Sequence, residues 1–301
     1  MRKKSAVKTW STPVTEEQRK PVPCTLCGGE SFKPSLSCDG FAYVACVHCS
    51  LVQMNPQPCV ALVEQRYREL FGRDYLAYEL ENEAAFLDLQ KRALKDAGFE
   101  QLEKEIMAGR EQRPCVLDIG CATGALLAFL QDRGWQAAGV EISPSADYAQ
   151  ERLGIPISSK TLEDSHFPDE YFDLVHASHL IEHLTNPRAF LSEVRRIMRP
   201  GGYCMITTPN IDGLQAHLFS HNWRSAIFDH LYLFSARTLK KLLVDSGFTV
   251  EGIYTWGGLA AGTAPLFIKR CVDKAAKLCK FGDVMLVKSR KLDYNIVEGE
   301  K

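Results

Sequence analysis

The chain has 301 residues, 46% apolar and 24% charged, a balance that fits a soluble globular protein of one large domain or one domain with an appendage. A formal net charge of −1 gives no global field toward nucleic acid or anionic lipid. The opening MRKKSAVKTWSTPVTEEQRK lacks the apolar centre of a signal peptide, and no apolar run reaches the ~18 residues of a membrane span, so the expected location is cytoplasmic.

Residues 1–20 read as a polar, disordered tail. Residues 21–60 form a cysteine-rich block: six of the eleven cysteines lie between Cys24 and Cys59. Without a secretion signal, such clustering favours metal ligation over disulfides. Cys24-x-x-Cys27 and Cys46-x-x-Cys49 are 18 residues apart, each followed by turn residues, Gly28-Gly29 and Ser50. Two such knuckles supply the four thiolates of a closed tetrahedral zinc site, with no position left for water, so the expected Zn2+ is structural. Phe32, Phe41, Tyr43 and Val44 suit the short strands of a ribbon, and a block this small hardly buries a core without its metal. Cys38 and Cys59, without partners at ligand spacing, are expected to be buried thiols.

Residues 61–112 turn helical in composition, and ENEAAFLDLQKRALKDAGFEQLEKEI reads as amphipathic linker or cap helices. Tyr75 and Tyr78 on this segment either fold over a ligand or pack between helices. From 113 to 290 strands and helices alternate: CVLDI, WQAAGVEI, IPIS, YFDLVHAS, YCMITTP, FTVEGIY and DVMLVKS read as strands. Between them, SPSADYAQERLG begins as a helix with Ser143 as N-cap and Pro144 at the first helical position, and SARTLKKLLVDSG is another capped helix. The alternation predicts an α/β fold with a doubly wound, Rossmann-like parallel sheet of about seven strands, its ligand at the carboxyl ends of the strands. Residues 291–301 are a tail.

In CVLDIGCATGALLAFL the first strand ends on Asp118, directly before the turn through Gly120 and Gly124. A dinucleotide site sets its glycine turn against a pyrophosphate, which an aspartate at the strand end would oppose. The glycine spacing is also wrong for G-x-G-x-x-G. S-adenosylmethionine fits better, because it carries an ammonium and a sulfonium and no phosphate. Glu141 closes the second strand, where an acid can take both ribose hydroxyls.

LDIGCATG, VEIS, FPDEYFDLVHASHLIEHL, RPGGYCMITTPN and HLYLFSARTLKKLLVDSGF resemble, in order, the motifs of class I S-adenosylmethionine-dependent methyltransferases, in the branch of the ubiquinone-biosynthesis O-methyltransferases. The resemblance spans roughly 113–290. It implies that Asp118, Gly120, Cys121 and Gly124 line the methionine end, Glu141 and Ile142 the ribose, and Thr161 and Leu162 the adenine, with Ser178 beside the methyl group. Two positions depart from the family: Ala122 replaces the middle glycine of the turn, and Thr161 replaces an aspartate. Ribbon-bearing members of this kind act on small molecules, often sugars or secondary-metabolite precursors, or on ribosomal RNA. The near-neutral charge, a ribbon with one lysine, and Ser178-His179-Leu180 in place of an Asn/Asp-Pro-Pro-aromatic motif all speak for a small-molecule acceptor.

Methyl transfer to a hydroxyl needs proximity and a base. His183, just past the fourth strand, is one candidate, and its alternative is a mere turn cap with Glu182. His230, in the long connection 210–235, is the other. That connection reads as an aromatic-rich substrate lid, or otherwise as a buried insert. The segment 266–282 is expected to be a solvated helix between the last strands, with peripheral membrane contact as the lesser reading. Nucleic acid and membrane are not expected partners, and the sequence specifies no oligomeric state. The rival readings are an RNA base methyltransferase with the ribbon as recognition module, and a non-catalytic cofactor-binding protein with the ribbon as a protein-docking module.

Overall fold

A computed structural model describes residues 15–65, 73–259 and 265–292. The amino-terminal block holds β1 (Arg19–Lys20), β2 (Phe32–Cys38), β3 (Phe41–Cys46), β4 (Val52–Met54) and β5 (Gln57–Pro58). β2 and β3 form a hairpin because Asp39-Gly40 supplies a two-residue turn with Gly40 at φ +80°. The helical segment follows as α1 (Val60–Gln65), α2 (Arg73–Asp96) and α3 (Phe99–Met107). Tyr78 on α2 is partly exposed and packs on Phe86, while the side chain of Tyr75 lies outside the described residues.

The alternating region contains β6 (Cys115–Ile119), α4 (Ala125–Asp132), β7 (Gln136–Val140), α5 (Ser145–Leu153), β8 (Ile157–Ser158), β9 (Phe172–Ser178), α6 (Pro187–Ile197) and β10 (Met198–Pro209). It continues through α7 (Leu214–Phe219), β11 (Tyr232–Leu233), α8 (Ala236–Asp245), β12 (Phe248–Trp256), α9 (Leu266–Leu278) and β13 (Val284–Lys291). Seven strands form one sheet in the order β12-β13-β10-β9-β6-β7-β8. The expected wholly parallel sheet needs one amendment. β13 runs antiparallel to both neighbours, because the chain leaves a slot between β10 and β12 and returns into it. The α5 start also shifts by one turn position: Pro144 flanks the helix, Ser145 opens it, and Ser143 Oγ accepts from the Ser145 amide at 3.3 Å.

Alternate residues of the central strands serve opposite faces, as a pleated sheet requires. Val116 and Leu174 join the core beneath α3, α4 and α5, while Leu117 and Val175 join the core shared with α6, α8 and the cysteine block. Both faces are therefore covered, which explains why these strands read as continuous apolar runs.

A second sheet, β11-β4-β3-β2, takes its edge strand from the alternating region: Tyr232 pairs Gln53 and Leu233 pairs Val52. The segment 210–235 follows the alternative reading, a partly buried insert with aromatics in the core, with Leu218, Phe219 and Ile227 left exposed. Trp223, Tyr232 and Phe234 are buried, and the Trp223 indole donates to Asp283 at 2.6 Å. Helix α9 does cross between β12 and β13, with Leu266, Phe267 and Leu278 largely exposed and Ala276 its buried contact. Among the described residues no helix is long and apolar enough to cross a membrane.

Asp283 is fully buried and also receives Arg224 Nε at 2.7 Å, so the pair of donors anchors the insert to the end of β13. Trp223→Phe removes one donor from a buried carboxylate and is expected to cost about 1–3 kcal/mol. The denaturant midpoint should fall with an unchanged slope; an unchanged midpoint would refute the anchor.

Candidate active site

The chain runs β6, β7, β8 outward in one direction and then returns to place β9 on the other side of β6. The order reverses between β6 and β9, so a crevice opens at their carboxyl ends, where open α/β sheets take ligands. Gly120 (φ +75°) and Gly124 (φ +74°) turn the chain from β6 into α4. A Cβ at Gly124 would meet Leu153 Cδ1 at 2.6 Å and Ala149 Cβ at 3.3 Å, which is how the turn comes so close to α5. Ala122 itself holds φ +49°, a left-handed conformation costing a residue with a Cβ about 1–2 kcal/mol.

The strain at Ala122 is met by Glu141, whose Oε2 accepts the Ala122 amide at 3.0 Å and whose Oε1 accepts the Ser143 amide at 2.8 Å. Burial raises the Glu141 pKa, and those amides pull it partly back. Ile142 is half-buried beside it. Cys121 is buried, and burial pushes its thiol well above the usual range, so it packs rather than reacts. Thr161 Oγ1 closes a turn with Asp164 at 2.9 Å, Leu162 is buried, and Ser178 sits half-buried at the end of β9.

Asp118 holds a partner that the sequence reading did not name. Register places it opposite His176 on β9, and Asp118 Oδ1 lies 2.7 Å from His176 Nδ1, both side chains buried. A histidine inside the apolar run YFDLVHAS, facing an acid across the sheet, was the available signal.

On the β9 side of the crevice, the backbone turns back through His179 at φ +53° and a short helical turn, Ile181–His183. Leu180 lies over Gly120, its Cδ1 3.7 Å from where a Cβ would stand, so this turn overhangs the crevice. It brings together Glu182, His183 and His230: one carboxylate oxygen and one ring nitrogen from each histidine lie within 4.8 Å of one another. The two candidate bases thus belong to one cluster, their ring centroids 4.6 Å apart. His183 Nδ1 bonds the Asp229 carbonyl at 2.9 Å and His230 Nδ1 bonds the Ser225 carbonyl at 2.8 Å. A carbonyl can only accept, so each neutral ring keeps its proton on Nδ1 and its lone pair on Nε2.

Glu182 is buried, with Oε2 accepting from Thr208 Oγ1 at 2.9 Å. His179 Nδ1 comes to 3.3 Å of Oε1 but outside hydrogen-bond geometry, leaving Oε1 without a donor among the described residues. Burial opposes its ionisation, yet the imidazoles of His179, His183 and His230 hold its pKa at about 2. Burial, helped by His183, lowers His230 to about 4. At neutral pH the cluster is a carboxylate with a neutral His230.

The four cysteines of the ribbon stand in register for one ion. Cys24 and Cys49 sulfurs are 3.4 Å apart, Cys27 and Cys46 3.5 Å, and all four lie within 4.8 Å. A tetrahedral ion with sulfur at about 2.3 Å needs sulfurs about 3.8 Å apart. Gly28 and Ser50, at φ +73° and +66°, return their amides to the Cys24 and Cys46 carbonyls and close both knuckles. Burial opposes the Cys46 thiolate, but the Cys49 and His48 amides and the neighbouring thiols bring it down to about 7. Cys38 and Cys59 are half-buried rather than buried.

The cysteine block also grips the catalytic side. Tyr43 Oη lies 2.7 Å from the Ile227 carbonyl and 2.9 Å from that of His230, the Met54 amide donates to Leu231, and the Leu231 amide donates to the Glu182 carbonyl. Arg188 donates back to the Thr25 and Leu26 carbonyls inside the first knuckle.

Residues 88–252 match a family model described as a methyltransferase domain. The ubiquinone biosynthesis O-methyltransferase of Parvibaculum lavamentivorans is 31% identical over 156 residues, 50% of this chain and 56% of that protein. A probable tocopherol O-methyltransferase of Oryza sativa is 32% identical over 108 residues, 33% of this chain and 30% of that protein. A solved S-adenosylmethionine-dependent methyltransferase from Archaeoglobus fulgidus has a TM-score of 0.49 and 23% identity, over 71% of this chain and 99% of that one. The chain spans about half the length of the curated relatives it matches.

The depressed pKa values set a direction for stability against pH. Unfolded, His230 takes a proton near 6.5; folded, it resists until about 4, so its contribution is present above pH 6.5 and lost as pH falls to 4. Glu182 adds a loss in the same direction between 4.5 and about 2. The denaturation midpoint should fall as pH drops from 6.5 to 4, and His230→Gln should flatten that slope. A slope unchanged in the variant would contradict the buried neutral imidazole.

Proposed function

The chain belongs to the methyltransferase-domain family over residues 88–252, and from that membership we propose that it methylates a hydroxyl of a small-molecule acceptor with S-adenosylmethionine. The observation that supports the reading is the Glu182–His183–His230 cluster, on and beside the short turn whose Leu180 lies over Gly120: its imidazoles would take the proton of a hydroxyl brought to a methyl donor at the glycine turn. The relatives' names as O-methyltransferases support the choice of oxygen.

The donor set suits this cofactor. Asp118, whose Oδ1 meets His176, would face the ammonium, and Gly120, Cys121 and Gly124 would let backbone approach the methionine end. Glu141 and Ile142 would meet the ribose, Thr161 and Leu162 the adenine, and Ser178 the region of the methyl group. When bound, S-adenosylmethionine supplies a methyl carbon already activated by the sulfonium charge. The chain's own work is to align the acceptor and remove its proton. His183 is the better placed of the two bases, being half-buried where His230 is buried.

We read the four-cysteine cluster as a structural zinc site whose task is to hold the block that grips His230. Near-neutral net charge supports a small-molecule acceptor over RNA.

His183→Ala should lower turnover on hydroxylated acceptors by about 10²–10⁴-fold while S-adenosylmethionine affinity by calorimetry stays the same; full turnover would overturn the assignment. Cys46→Ser should reduce bound zinc below one per chain and speed amide exchange across 227–233. Unchanged exchange with the metal gone would mean that the ribbon does not support the site.

A further inference from the structure

We infer that His176 is a positioning residue for the cofactor: its imidazole fixes the Asp118 carboxylate in the orientation that accepts the ammonium of the methionine end. This role rests on S-adenosylmethionine as the cofactor, and it belongs to a buried histidine that methyl transfer itself does not call for.

Asp118 stands two residues after Val116 on β6, and His176 two residues after Leu174 on β9, so both lie on the sheet face that Val116 and Leu174 give to the core beneath α3, α4 and α5. Register sets Gly139, Asp118, His176 and Met205 side by side across four strands. Gly139 and Met205 bring no charged group to that row, and the acid and the imidazole meet within it, Asp118 Oδ1 at 2.7 Å from His176 Nδ1. Both side chains are 3% exposed. A carboxylate can only accept, so Nδ1 is the donor. An apolar side chain is the ordinary occupant of a central parallel strand covered on both faces. An imidazole there gives up its hydration, a cost that the bond to Asp118 offsets.

The surroundings explain why Asp118 needs holding. Asp118 opposes the ionisation of Glu141, and the charges of Asp118, Glu141 and Glu79 all oppose that of Cys121, so three acids converge on the turn after β6. Glu141 is tied by the Ala122 and Ser143 amides, and Glu79 accepts from the Ser145 hydroxyl. Asp118 is tied by His176. A carboxylate turns easily about its last torsion, and a bond to a ring borne on the neighbouring strand stops that turn. A cation entering among these acids then meets an oxygen already in place, without the cost of ordering it on binding.

The test is calorimetry of the full chain with S-adenosylmethionine, S-adenosylhomocysteine and 5′-methylthioadenosine, the last of which keeps adenine, ribose and sulfur but has no ammonium. His176→Leu should weaken the first two by about 10–100-fold and leave the third within about twofold. His176→Asn, whose side-chain amide puts a donor near the Nδ1 position, should restore most of the lost affinity. Should His176→Leu fail to fold, His176→Gln takes its place, because its amide reaches toward the Nε2 position instead, and the same split between ligands decides. Equal losses on all three ligands would make His176 a residue of the fold alone and overturn the inference. Unchanged affinity for S-adenosylmethionine and S-adenosylhomocysteine would also overturn it and leave the cofactor reading standing. A wild-type chain that binds neither of those two would sink the cofactor reading and the role of His176 together.

Discussion

The two-residue ladder between β4 and β11 ties the cysteine block to the chain that carries His230, and the Glu182–His183–His230 cluster is built on that tie. Tyr43 bridges two carbonyls in the turn before β11, and Leu231 passes the connection to the Glu182 backbone. The histidine and the carboxylate therefore reach their positions through backbone hydrogen bonds rather than by side-chain packing alone. Backbone bonds fix position because peptide groups have few soft dihedrals. A block of about forty residues lacks the apolar volume for a stable core. Its apolar residues join the core shared with α6 and α8, and the four clustered sulfurs draw its two knuckles together.

The cofactor side rests on a different constraint. At the reversal of strand order the backbone must turn sharply, and the residues that let it do so leave amides pointing toward the crevice. Glu141 takes the Ala122 amide of this turn and the Ser143 amide that follows β7, and so holds Ala122 in a conformation it would not adopt freely. The same carboxylate thus ties the turn after β6 to the turn after β7. Asp118 is similarly shared, with one oxygen committed to His176 across the sheet.

The buried polar cluster is expensive for the fold. Desolvating a carboxylate and two imidazoles is unfavourable unless each finds partners, and carbonyls, Thr208 and mutual electrostatics provide most of them. Burial raises Glu182 but its imidazole neighbours hold it down at about 2, and burial holds His230 down at about 4, so the cluster stays a carboxylate beside a neutral His230 near pH 7.

Much of this was legible in the chain. Asp118 before a glycine turn, alternating strands and helices, and two Cys-x-x-Cys pairs are local patterns, because strand ends, helix caps and metal knuckles depend on neighbouring residues. Local pattern also offered His183 and His230 as separate candidates, without stating that their rings meet. Three features depended on long-range contact and so escaped it. The insert 210–235 is pinned at Trp223, which finds Asp283 sixty residues away, and at the buried Tyr232 and Phe234. β13 enters the sheet antiparallel, which is a matter of which slot remains open. Glu182 joins the histidines only after β11 has paired with the ribbon. Sequence alone determined the elements and the chemistry available at their ends, because periodicity and turn residues act within a few positions. Only the tertiary structure decided which ends meet, because strand pairing and burial are settled by the whole chain at once.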